Sequence, residues 1–127
     1  MIVGIGTDIV QVDRIQQTWS RLGERFARRI LTPPELDDFD KKKNKVAFLA
    51  KRFSAKEAVA KALGTGIAKG VSFQNIAIGH DELGKPLIVL SGAASALADR
   101  LGISNQHLSI SDEREYVVSF VVFESGS

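Results

Sequence analysis

Few side chains in the 127 residues could do chemistry, and their types narrow what that chemistry is. There is no cysteine, which removes disulfides, thiolate metal sites and thiol nucleophiles together. Imidazoles come only from His80 and His107, and His80 stands at a strand–turn boundary where an exposed ring is expected. No P-loop, His-x-x-x-His pair or nucleophile elbow occurs, and Gly4-Ile5-Gly6 is followed by Ile9 where a dinucleotide fingerprint needs its third glycine. Carboxylates, amines and backbone loops remain. Asp8 ends a glycine-containing segment and reads, by itself, as a turn residue. Glu57 lies in an alanine-rich helix and reads, by itself, as a solvated side chain. Lys61 stands four residues on, so Glu57 and Lys61 form an i,i+4 pair on one face shared with Ser54. Gly64-Thr65-Gly66 follows as a loop whose bare backbone a ligand can approach. Two hard carboxylates with open positions would suit Mg²⁺, which keeps waters and takes substrate phosphates as its remaining ligands. Spacing alone does not bring Asp8 to Glu57.

The elements that must position these groups follow from periodicity. Ile2 to Thr7 reads as a strand with close backbone approach at its glycines. Asp13 is a candidate cap for a helix running from Arg14 towards Leu31, weakened at Gly23 and stopped by Thr32-Pro33-Pro34. A short acidic helical turn and a polar loop, Lys41 to Lys45, come next. The clearest helix covers 46–63, with Val46, Leu49, Phe53, Ala60 and Leu63 on its apolar face and Gly64 ending it. Residues 73–78 alternate like a strand and 85–90 return as a hairpin partner after the turn at Asp81 to Gly84. A second alanine-rich helix spans 91–101, and 107–111 pairs with 116–123 around Asp112-Glu113-Arg114. The expected class is α+β, one domain over residues 1–127, with a small, mainly antiparallel sheet packed with a long helix. The segment Tyr116 to Phe123 is apolar on both faces, so a second subunit is expected to cover the face that helices leave open.

The net charge of +2 conceals an uneven distribution. Five arginines between residues 13 and 30 meet only Asp13 and Glu24, and eight basic side chains between 41 and 61 meet only Glu57. Such asymmetry calls for an anionic partner. At 100° per residue, Arg14, Arg21, Arg25, Arg28 and Arg29 fall within roughly 100° of arc. They border an apolar stripe of Ile15, Trp19, Leu22, Phe26 and Ile30. Arginine suits bidentate recognition of carboxylate or phosphate, so an acidic helix or a nucleic acid would fit this ridge. If Gly23 breaks the helix, the ridge divides into two clusters. No basic n-region opens the chain and no apolar run approaches about 20 residues, so a cytoplasmic protein without a membrane segment is expected.

Three blocks resemble the holo-[acyl-carrier-protein] synthases, the small phosphopantetheinyl transferases: Gly4-Ile5-Gly6-Thr7-Asp8-Ile9-Val10, the run from Arg52-Phe53-Ser54-Ala55-Lys56-Glu57 to Gly64-Thr65-Gly66, and Gly84-Lys85-Pro86 followed by His107-Leu108-Ser109-Ile110-Ser111. The resemblance covers essentially the whole chain. It implies an α+β unit that assembles as a homotrimer with active sites between subunits. It also implies transfer of the 4′-phosphopantetheine arm of coenzyme A to a serine of apo acyl carrier protein, for fatty acid biosynthesis. By the same resemblance Asp8 and Glu57 are Mg²⁺ ligands, and Glu57 and Lys61 are catalytic. Arg52, Lys61, Gly64, Gly66, Lys85, Pro86 and His107 line the coenzyme A site, and Arg14, Arg21, Arg25 and Arg28 form the carrier-protein docking ridge. Many members have a histidine where this chain has Asp112, which is given no role.

That chemistry suits the residues. Phosphoryl transfer to a hydroxyl depends mostly on positioning and charge stabilisation. The base that takes the serine proton is either Glu57 or a metal-bound water, and the sequence leaves both open. A competing class is a small nucleic-acid-binding module on the same basic ridge. Against it, aromatic residues make up only 7% and form no stacking array. A third class is a non-catalytic trimeric scaffold.

Overall fold

The helix α4 (Lys45–Ala62) lies at the centre of the computed structural model, which describes residues 1–126. Asn44 caps it, its side chain accepting a hydrogen bond from the backbone N–H of Ala47. Sequence periodicity predicts one apolar face, but Phe48, Leu49, Ala50, Ala55, Ala58, Val59 and Ala60 are all buried, and so are Arg52, Ser54 and Lys56. The helix is enclosed on most sides because two packing layers meet on it. One contains Val59, Leu63, Ile76, Val121 and Phe123, and the other Phe26, Ile30, Phe39, Leu49 and Val117.

Around α4 the order is β1 (Ile2–Gln11), α1 (Val12–Leu22), α2 (Glu24–Ile30), α3 (Pro33–Asp40), then α4, a 3₁₀ turn at Phe73–Asn75, β2 (Ile76–His80), β3 (Pro86–Leu90), α5 (Gly92–Leu101), β4 (Ile103–Asp112) and β5 (Tyr116–Ser125). The strands form two antiparallel sheets rather than one: β1-β5-β4, and the hairpin β2-β3. The expected α+β class holds, and the strands are longer than their alternation suggests, β1 reaching Gln11 and β4 starting at Ile103.

Gly23 settles the first helix. Its φ of 55° is a conformation that side-chain-bearing residues avoid, so the chain breaks there into α1 and α2. Asp13 is not the cap. Gln11 holds that position, and Asp13 sits in the first turn, where Oδ2 accepts from Gln17 Nε2 at 3.1 Å.

Gly4 and Gly6 explain how β1 reaches α4. A Cβ on either would fall far inside van der Waals contact distance of a main-chain oxygen, that of Ala62 for Gly4 and that of Ala58 for Gly6. The strand therefore lies directly on the helix backbone, and alternation turns Asp8 to the same side as Gly4 and Gly6. Gly6→Ala is expected to cost about 1–3 kcal/mol, because the added methyl meets backbone that cannot rotate away. Denaturant unfolding checks this; an unchanged midpoint would show that the strand moves off the helix backbone without cost.

The opposite face of the three-stranded sheet carries Ile5, Ile9, Tyr116, Val118 and Phe120, all exposed. In register Ile9 stands opposite Val118, and Thr7 opposite Phe120. On β5 the inward row is Val117, Ser119, Val121 and Phe123, all buried.

Candidate active site

Where β1 crosses α4, Asp8, Glu57 and Lys61 come together. The Asp8 side chain is only 12% exposed. Its Oδ1 accepts a hydrogen bond from Lys61 Nζ at 3.1 Å, and the same ammonium donates to the Thr7 carbonyl at 3.1 Å. The i,i+4 spacing predicts that Lys61 pairs with Glu57, but its ion pair is with Asp8. The strand places a carboxylate and a carbonyl within reach of one ammonium, and that arrangement prevails. Ser54 Oγ donates to the Asp8 carbonyl at 3.4 Å, which ties β1 to the preceding turn of α4; Asp8 lies within the strand and not at a turn.

Glu57 is half-buried, and burial pushes its carboxyl above the usual range. The charge of Asp8 pushes it the same way, while Lys61 opposes the shift. Asp8 Oδ2 is buried without a hydrogen-bond partner. A carboxylate oxygen stranded beside a second carboxylate that resists ionisation fits a divalent cation, which would satisfy the first and relieve the second. Among the described residues no three His, Cys, Asp or Glu side chains cluster as a metal site. A cation here would draw its remaining ligands from substrate and water, as Mg²⁺ does.

The loop after α4 turns through Gly64 (φ 89°) and Gly66 (φ 64°), both left-handed, leaving backbone rather than side chains beside Lys61. Arg52 points elsewhere, five residues from Glu57 and about 140° around the helix. It borders a cavity of about 740 Å³ whose walls include Lys41, Lys42, Lys51, His80, Gly84 and Pro86. The guanidinium lies 4.5 Å from the Phe48 ring centre, and Nη1 donates to Glu35 Oε2 at 3.1 Å and to the Ile78 carbonyl at 2.9 Å. His80 is held below the usual imidazole range by burial and by Arg52, Lys51 and Lys42, with Asp38 opposing them. Lys85 is exposed beside Pro86 at the start of β3. His107 is in neither place. It lies on β4, exposed, with Nε2 2.6 Å from Glu124 Oε1.

The arginine ridge is divided by the break at Gly23. Arg14 and Arg21 belong to α1, Arg25 and Arg28 to α2, and all four are exposed. Arg28 edges a groove floored by Leu31, Leu36, Ile67 and Phe73.

Sequence reasoning missed the buried group behind Arg52. Glu35 Oε1 accepts from Lys56 Nζ at 2.5 Å, from the Thr32 backbone N–H at 2.8 Å and from Thr32 Oγ1 at 3.0 Å. Lys56 also donates to the Ile30 carbonyl at 2.6 Å and to the Phe73 carbonyl at 3.2 Å. Burial lowers the pKa of Lys56, and Glu35 is the main opposing influence. The signal available was the Thr32-x-x-Glu35 spacing of a capping box, which the structure forms.

A family model for the 4′-phosphopantetheinyl transferase superfamily matches residues 4–121. A holo-[acyl-carrier-protein] synthase of Vibrio cholerae is 57% identical over 124 residues, covering 98% of each chain. The crystal structure of the holo-[acyl-carrier-protein] synthase of Neisseria meningitidis is 54% identical and superposes with a TM-score of 0.93, covering 98% of this chain and 100% of that one. A Helicobacter pylori synthase solved in complex with coenzyme A is 35% identical with a TM-score of 0.82, covering 94% of this chain and 99% of that one. With the glycine-seated strand, the two carboxylates and the lysine in place, the chain belongs to the holo-[acyl-carrier-protein] synthases of the 4′-phosphopantetheinyl transferase superfamily.

Proposed function

We propose that Asp8, Glu57 and Lys61 form the reacting centre of this synthase. The activity that goes with the family moves the 4′-phosphopantetheine arm of coenzyme A onto a serine of apo acyl carrier protein and releases adenosine 3′,5′-bisphosphate. One observation carries the site reading: two carboxylates and an ammonium converge where β1 meets α4, and a buried carboxylate oxygen there has no partner. Asp8 and Glu57 would hold Mg²⁺, which when bound supplies charge neutralisation on the pyrophosphate. Lys61 has spent two of its three N–H donors on Thr7 and Asp8, leaving one for a phosphate oxygen as charge develops on the departing group. Glu57, or a water held by the cation, would accept the serine proton.

The cavity beside Arg52 and Pro86, where Lys41, Lys42, Lys51 and Arg52 outnumber Asp38 and Asp112, suits the phosphorylated nucleotide end of coenzyme A, and the exposed Lys85 lies in sequence between its lining residues Gly84 and Pro86. Gly64 and Gly66 would let the pyrophosphate approach the backbone. His107 lies outside this cavity, on the sheet that carries the exposed apolar row. A homotrimer burying that row would bring His107 to a neighbouring subunit's site, and residues 1–127 would act as one synthase domain. No helix among the described residues is long and apolar enough to cross a membrane, and a cytoplasmic location belongs to the same reading.

The test is incubation with coenzyme A, Mg²⁺ and apo acyl carrier protein. Mass spectrometry should show the carrier gain one phosphopantetheine arm; an unchanged carrier mass would overturn the reading. Arg14→Glu should weaken carrier binding roughly tenfold while leaving coenzyme A binding intact, and the wild-type carrier affinity should fall as salt rises. Equal weakening of both ligands would remove the arginines of α1 and α2 from the docking surface.

A further inference from the structure

We propose that Ser119 is a positioning residue for Asp8. The two stand directly opposite each other in the β1–β5 register. Both are on the side of the sheet that faces α4, and Ser119 is fully buried. It is the one polar residue in the inward row Val117, Ser119, Val121, Phe123. Among the described residues, Ser119 Oγ and Asp8 Oδ2 are the two buried side-chain polar atoms with no hydrogen-bond partner, and they belong to this one facing pair.

Three neighbouring side chains are already engaged. Ser54 Oγ donates to the Asp8 carbonyl, Thr7 Oγ1 to the Ser119 carbonyl, and Lys61 Nζ to Asp8 Oδ1. A buried hydroxyl left unpaired is destabilising, so an apolar residue would serve β5 better unless the hydroxyl has a task. Directly opposite residues carry Cβ atoms about 4.5–5.5 Å apart. A serine Oγ–H therefore reaches the facing carboxylate oxygen by a change of χ1 rotamer or through one bridging water. Oδ2 has two lone pairs, so accepting from Ser119 leaves one for a cation. Ligating carboxylates are characteristically oriented by such outer hydrogen bonds. Ser119 thus fixes the carboxylate plane of Asp8 from the side of the sheet, while Lys61 fixes it from the solvent side.

This rests on the reading of Asp8 and Glu57 as cation ligands, and the experiment separates the two. Mn²⁺ binding is measured by electron paramagnetic resonance with coenzyme A present, on wild type, Ser119→Ala, Ser119→Thr and Asp8→Asn, with Tm recorded for each. Ser119→Ala should bind Mn²⁺ roughly 10- to 100-fold more weakly. Its Tm without metal should stay close to that of wild type, so that weaker binding reports the site and not the fold. Ser119→Thr keeps the hydroxyl and should restore binding. Wild-type Mn²⁺ affinity in Ser119→Ala, with loss in Asp8→Asn, would overturn the role of Ser119 and leave the cation site standing. Equal binding by wild type and Asp8→Asn would overturn the site and this role with it.

Discussion

Glu57→Ala is expected to reduce phosphopantetheine transfer by on the order of 10³-fold or more while the chain stays folded. Losing a ligand and a candidate base together removes several kcal/mol of transition-state stabilisation, and each 1.36 kcal/mol is a factor of ten. Stability should not follow activity down. Glu57 is half-buried beside Asp8, and its carboxyl is already pushed up by that neighbourhood, so the alanine variant relieves a repulsion. The measurements are turnover at limiting and saturating Mg²⁺ and a thermal melt. Near-normal turnover at limiting Mg²⁺ would exclude Glu57 as a metal ligand. A collapsed melt would place the residue in the scaffold instead.

Glu35→Ala should act in the opposite way, on the fold before the chemistry. Its carboxylate receives five hydrogen bonds, from Lys56, Arg52, the Thr32 N–H and hydroxyl, and the Ile78 N–H. These join α3, α4 and β2 around a point with almost no water, since the Lys56 side chain is 0% exposed and that of Glu35 3%. Breaking a buried pair by removing one partner costs about 3–5 kcal/mol, because the partner is left charged and unsolvated. That is a large fraction of the stability of a chain this size. The double variant Glu35→Ala, Lys56→Met should lose less than the sum of its two single variants, because the orphaned charge goes too. Strict additivity in denaturant unfolding would show that the ammonium is solvated or neutral in the single variant.

The parts of this molecule that were legible in the sequence are those governed by local rules. Alanine content and Gly64 mark α4 within a residue or so, and Gly4 and Gly6 announce a close backbone approach that the structure makes against Ala58 and Ala62. The break at Gly23 was legible as a weakness only, because a glycine in a helical pattern is tolerated until tertiary packing uses its freedom. The meeting of Asp8 with Glu57 was not legible from spacing. The two are joined by a strand–helix crossing, and only the family resemblance placed them together. Lys56 and Glu35 were hidden for a different reason. A lysine among alanines and a glutamate in an acidic turn both resemble solvated surface, and helical periodicity carries no warning when the helix is enclosed on most sides. The direction of Lys61 was misjudged because a local helix rule competed with a strand that supplies two acceptors.

The seating of β1 on α4 has a consequence for how this enzyme tolerates change. Main chain meets main chain at Gly4 and Gly6, so the gap between the strand and the helix that carry Asp8 and Glu57 has no side chain as a spacer. Ordinary core positions drift through compensating swaps, one residue growing as its neighbour shrinks. Here there is nothing left to shrink. The span between the two carboxylates behaves as a ruler cut from backbone, insensitive to repacking in either hydrophobic layer and unforgiving of a single methyl at its two contact points.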